Sequence, residues 1–133
     1  MIVIDASVLA NVVADDGADG GAAREVVRGA DGLSAPELVD VETVSVLRKR
    51  WLAGTLSDSR FSAAIDDLTE LDVERYPGLP LLRRAFELRT NVSAYDAAYV
   101  ALAEGLACPL LTADARLFNA PGPRCEIRLL ESG

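Results

Sequence analysis

The sequence predicts an α/β protein: a parallel β-sheet sandwiched by helices in three layers. Three observations predict it. Short apolar runs at 2–4 and 109–111 are bounded by turn or cap residues, as strands buried on both faces are. Longer segments with helical periodicity lie between the strand candidates. The two kinds alternate, which implies crossover units and hence parallel pairing.

The elements follow in order. MIVI, at 1–4, is the first strand, and a helix is expected over 7–13. The acidic, glycine-rich stretch DDGADGG, 15–21, lacks the spacing of a dinucleotide-binding loop and is expected to be a flexible loop before a helix over 22–28. Residues 33–34 form a short strand, and PELVDVETVSVLRKRW opens a helix over 38–53, with Pro36 and Glu37 at its entry and Arg48, Lys49 and Arg50 at its negative end. A helix over 58–68 precedes a third strand over 71–76, which Pro77-Gly78 ends. Helices over 79–88 and 94–104 follow, with Gly54 and Gly105 expected as C-caps of the long helices. After the strand at 109–111, the loop Ala120-Pro121-Gly122-Pro123 leads to an edge strand over 126–130.

Composition narrows the chemistry. With 133 residues and no break in composition, a single domain over 1–133 is expected. No uncharged apolar run approaches the ~18 residues of a membrane span, and no basic segment precedes the first apolar stretch. A soluble, cytoplasmic protein is expected, with Cys108 and Cys125 as buried free thiols. The chain has no histidine, which removes Ser/His/Asp and Cys/His nucleophiles, histidine acid-base nucleases and most zinc hydrolases. Hydrolysis would then rest on carboxylates, water and a hard metal. The net charge of −8 argues against a general nucleic-acid coat, although 12 of the 13 basic residues are Arg, the better phosphate fork.

Four acids stand out. Asp5 follows MIVI and Asp114 follows PLLTA, so both lie beyond strand ends, where open α/β sheets bind ligands. Each also reads as an N-cap of the helix after it. Asp96, in NVSAYDAAYVALAEG, completes a capping box with Ser93, yet shares a helical stripe with Val100 and Ala103 rather than with exposed Glu104. Glu42 is flanked on its helix by Leu38, Val39 and Val46, whereas Glu37 and Asp40 suit the solvated, dipole-complementing role. If the four converge, their repulsion is severe: one pair about 5 Å apart costs roughly 3 kcal/mol at an effective dielectric of about 20. Protons or a cation must relieve it. Oxygen-only ligation selects Mg²⁺ or Mn²⁺, with Ca²⁺ as competitor, and such ions bind phosphate oxygens and activate water for phosphodiester hydrolysis.

Taken together, VIDAS with Asp5, P-x-L-x-x-x-E from Pro36 to Glu42, NVSAYDAAYVALAE with Asp96 and LLTAD with Asp114 resemble the PIN domain, specifically the VapC-type ribonuclease toxins. The resemblance covers nearly the whole chain in order. It implies a PIN-like sheet with Asp5, Glu42, Asp96 and Asp114 around one or two Mg²⁺ or Mn²⁺ ions, cutting single-stranded or looped RNA. Asp5 and Asp96 would anchor the metal, with Glu42 and Asp114 completing the shell and orienting water. Ser7 and Thr112 match small hydroxyl positions that line the pocket in relatives, though turn and cap bonding explains them equally. Two residues after the last Asp, where some relatives carry a further acid, stands Arg116, either a phosphate contact or a solvated helix residue. The resemblance also implies a cognate VapB-type antitoxin and a homodimer; the apolar segments 38–51 and 58–71 are candidate contact surfaces for the antitoxin, and a core role explains their apolar residues equally well. A non-cleaving or RNA-processing domain of the same type remains the alternative. A receiver-type phosphoacceptor is disfavoured, because the sole lysine, Lys49, sits between Arg48 and Arg50 within a helix.

Overall fold

The computed structural model describes residues 1–131, so positions 132 and 133 of the expected domain lie outside the described residues. The chain runs β1 (Ile2–Ile4), α1 (Ala6–Ala14), α2 (Ala18–Gly29), β2 (Leu33–Pro36), α3 (Leu38–Leu52), α4 (Asp58–Glu70) and β3 (Glu74–Tyr76). A 3-10 turn (Leu79–Leu81) leads into α5 (Leu82–Glu87), α6 (Ala94–Leu106), β4 (Leu110–Thr112), α7 (Ala115–Asn119) and β5 (Ile127–Leu129). The sheet is five-stranded, in the order β3-β2-β1-β4-β5, and every pairing is parallel.

This order has a reversal. The chain steps from β1 to β2 to β3 in one direction, then crosses back to place β4 on the other side of β1. Right-handed crossovers therefore put α1 to α4 on one face and α5 and α6 on the other. The packing agrees: α1 meets α2, α3 and α4, while α6 meets α5 and crosses β1, β2 and β4. β1 is buried along its whole length, as a central strand covered on both faces must be. The switch point lies between the carboxyl ends of β1 and β4, where such sheets open a crevice.

Four expectations change. The stretch 15–21 is not a loop throughout, because α2 starts at Ala18. Asp15 Oδ1 accepts from Gly17 N at 2.8 Å and Gly20 N at 3.1 Å, so one carboxylate nucleates the turn. Gly20 serves a close approach there: a Cβ would stand 1.8 Å from the Asp15 carbonyl oxygen. Gly105 is not a cap but part of α6, whose left-handed C-cap is Ala107 at φ 52°. Glu104 is not a solvated acid: its side chain is 17% exposed and accepts from Arg84 Nε at 2.7 Å. The two thiols are free, as expected, but only partly buried.

Candidate active site

Asp5 stands at the switch point. Its backbone is extended, it caps α1, and it is 5% exposed. Oδ1 accepts from Val8 N at 3.1 Å and from Ser7 Oγ at 2.6 Å, while Oδ2 accepts from Thr112 Oγ1 at 2.5 Å. The hydroxyls pass the connection to the next strand end: Ser7 Oγ accepts from Ala113 N at 3.1 Å, and Thr112 Oγ1 accepts from Asp114 N at 3.0 Å. Ser7 and Thr112 thus tie the ends of β1 and β4 together through one carboxylate. Burial pushes the Asp5 carboxyl up to about 6, Asp96 adds to the rise, and the three hydrogen bonds oppose it.

The other acids surround this point from three elements. Asp96, in the first turn of α6, is half-buried, and its N–H donates to the capping Ser93 Oγ at 3.1 Å. Its carboxyl lies above the usual range, first because of burial and then because of Asp114, with Ser93 and Arg116 opposing. Glu42, half-buried on α3, accepts from Tyr99 Oη at 2.5 Å. Burial raises its carboxyl, Asp96 adds to this, and Tyr99 and Lys49 oppose. Asp114 caps α7, accepting from Arg116 N at 2.9 Å, and shares a pocket of about 260 Å³ with Asn91, Val92, Ser93, Asp96, Arg116 and Leu117. The Arg116 side chain is 94% exposed, with its guanidinium 3.7 Å from Asp114, and reads as a solvated residue at the pocket mouth.

Asp96 is thus the electrostatic hub, coupled to Asp5, Glu42 and Asp114. Among the described residues, however, no group of three or more carboxylates, thiols or imidazoles is set closely enough to cage a metal ion. The donor chemistry still fits a hard divalent cation. The side chains are oxygen donors, three of the acids are held above their normal range, and a positive charge would remove that strain. Mg²⁺ in particular binds through one or two carboxylates and completes its shell with water and substrate phosphate, so it needs no closed protein cage.

One residue of this arrangement was not singled out from the sequence. Tyr99 is 1% exposed on the inner face of α6, and its phenol links Glu42 of α3 to the site; burial, then Glu42, raises its own pKa. The available signal was a tyrosine on an apolar stripe, since a buried phenol needs a polar partner.

A profile of the PIN domain matches residues 2–123. The chain is 42% identical over 130 residues to ribonuclease VapC1 of Mycobacterium tuberculosis, with 96% of both chains covered. It is 41% identical to ribonuclease VapC9 of the same organism, covering 98% of both. Among solved structures, M. tuberculosis VapC20, described as a Sarcin-Ricin loop cleaving toxin, is similar with a TM-score of 0.70 and 18% identity, covering 88% of this chain and 92% of that one. VapBC2 from Rickettsia felis, bound to a DNA fragment from their promoter, gives a TM-score of 0.69 at 13% identity, covering 98% and 100%. At such identities these two structures speak for the fold alone.

Proposed function

The chain belongs to the PIN-domain family, among the VapC ribonucleases, and we propose that it is a divalent-metal-dependent endoribonuclease, the toxin of a toxin-antitoxin pair acting in the cytoplasm. The observation that carries this reading is the Asp5 carboxylate, buried and fixed by Ser7 and Thr112 at the β1/β4 switch point, with Asp96 coupled to it. The whole chain, 1–133, acts as one nuclease domain, and among the described residues no helix is long and apolar enough to cross a membrane.

Asp5 and Asp96 would hold Mg²⁺ or Mn²⁺, and Glu42 and Asp114 would complete the shell directly or through water. When bound, the cation supplies charge to neutralise phosphoryl oxygens and acidity to activate water. Ser7, Thr112 and Val8 N–H hold the Asp5 carboxylate in one orientation. Tyr99 does the same for Glu42, donating from its phenol to Oε1. Arg116, exposed at the pocket mouth beside Asp114, is available to a substrate phosphate.

A VapB-type antitoxin is the proposed protein partner. Val44, Trp51, Phe61 and Ile65 line an apolar groove between α3 and α4 that suits a partner helix. A homodimer is the proposed assembly, as the resemblance to the VapC-type toxins implies. The non-cleaving alternative draws on the capping bonds of Asp5 and Asp114, which need no metal.

Incubation of RNA with the purified chain, in Mn²⁺ or in chelator, separates the two. The expected result is metal-dependent cleavage that Asp5→Asn reduces by about a hundredfold or more and Tyr99→Phe by about tenfold. Sequencing the cleaved ends identifies the RNA. RNA left intact by the wild type in Mn²⁺, and equally in Mg²⁺, would overturn the nuclease reading.

A further inference from the structure

The chain carries 13 basic residues against 21 acidic ones, and several of its arginines are tied to acids: Arg60 to Asp16, Arg75 to Asp40, Arg84 to Glu104 and Arg128 to Glu126. Arg83 and Arg89 differ. Among the described residues neither has an ion-pair partner, and both guanidiniums lie over the Phe86 ring, at 5.8 and 4.0 Å from its centroid. Arg89 is also anchored, donating from Nη1 to the Phe86 carbonyl at 3.0 Å. Phe86 itself is 53% exposed, so two cations without an ion-pair partner among the described residues and the aromatic ring they lie over stand at the surface of an acidic protein.

Their position matters. Arg89 precedes Asn91 by two residues, at most about 7 Å of chain, and Asn91, Val92 and Ser93 wall the pocket that holds Asp96 and Asp114. The acidic pocket by itself repels a polyanion. A cationic, aromatic ridge beside it supplies what is missing: phosphate contacts and a surface for an unstacked base.

We propose that Arg83, Phe86 and Arg89 form a docking platform for single-stranded RNA, next to the acidic pocket. A base displacing the longer Arg83 contact stacks on Phe86, the freed guanidinium meets its phosphate, and Arg89 holds the adjoining phosphate. The strand then continues past Asn91 toward Asp96. This inference rests on the ribonuclease reading and names where that substrate is held.

The test is fluorescence anisotropy with a labelled single-stranded RNA oligonucleotide, in chelator so that no cleavage occurs, across a salt series. Phe86→Ala is expected to weaken binding about fivefold or more. Arg83→Gln/Arg89→Gln is expected to reduce the slope of log affinity against log salt by about 1.4. A duplex RNA of the same sequence should bind more weakly and respond less to Phe86→Ala. Wild-type affinity and slope in both variants would overturn the proposal, as would losses that track a change in oligomeric state by light scattering, which would make this ridge a protein contact. Cleavage by the wild type is scored separately: cleavage with unchanged binding by the variants defeats the platform alone, whereas binding through Phe86 without cleavage defeats the nuclease reading alone.

Discussion

Asp5 holds two roles through one carboxylate. Its cap bond to Val8 N and its bonds from Ser7 and Thr112 fix the side chain, and the burial that makes this rigidity possible opposes its charge. In metal-free protein this has a definite pH signature. Folding raises the Asp5 pKa from 3.8 to about 6, so the folded chain keeps its proton to higher pH than the unfolded chain does. The stability tied to that proton is complete below about pH 4 and is lost as pH rises through about 6, some 3 kcal/mol in all. Asp5→Asn cannot titrate, yet its amide oxygen still accepts from Val8 N. Denaturant unfolding in chelator should therefore show the variant gaining on wild type between pH 4 and pH 7, by up to about 3 kcal/mol. If the variant instead loses several kcal/mol at neutral pH, the charge is needed for the cap and desolvation is the lesser effect.

At the scale of elements, the α6 C-terminus gives a direct test of where the helix ends. Gly105 lies inside the helix with open space where a Cβ would stand, nothing being within 4 Å of that point, and Ala107 carries the positive φ. Gly105→Ala should therefore stabilise by about 0.5–1 kcal/mol. Ala107→Gly should also stabilise, by up to about 1 kcal/mol, because a left-handed alanine is strained. Thermal or denaturant unfolding of the two variants settles it; a destabilised Gly105→Ala would put the cap back at Gly105. Glycine is the usual left-handed residue, so the sequence points to Gly105, but the chain turns two residues later and Cys108 N reaches the Ala103 carbonyl. The glycines of 15–21 misled in the same way, since Gly20 serves contact with Asp15 rather than freedom. What could be read was whatever depends on local order: MIVI as a buried strand, Asp5 and Asp114 beyond strand ends, Ser93 as a cap. What could not be read depends on side chains meeting across the fold, such as Tyr99 with Glu42 from helices on opposite faces of the sheet.

For the whole molecule, the strand order decides where charge collects. Crossing back over β1 brings Asp5 and Asp114 to one crevice, and α6 and α3 add Asp96 and Glu42 from the two layers. Asp5 and Asp114 cap helices and Glu42 accepts a hydroxyl, yet the set shares a repulsion that basic side chains among the described residues relieve only in part: Arg116 opposes the rise at Asp96 but is exposed, and Lys49 is the last of the influences on Glu42. A divalent cation would bind the folded chain and have no comparable site in the unfolded one, so the fold should gain stability by linkage. At a free concentration about a hundred times its Kd, the gain is about 2.7 kcal/mol, which at roughly 3 °C per kcal/mol raises Tm by about 8 °C. Thermal unfolding in millimolar Mn²⁺ should show this rise in wild type and not in an Asp5→Asn/Asp96→Asn variant. The control is the same titration with Na⁺ at matched ionic strength, because screening alone relieves repulsion on a chain of net charge −8. An equal rise in both proteins, or one reproduced by Na⁺, would mean that Mn²⁺ acts on the charge of the molecule at large and that Asp5 and Asp96 do not form its site.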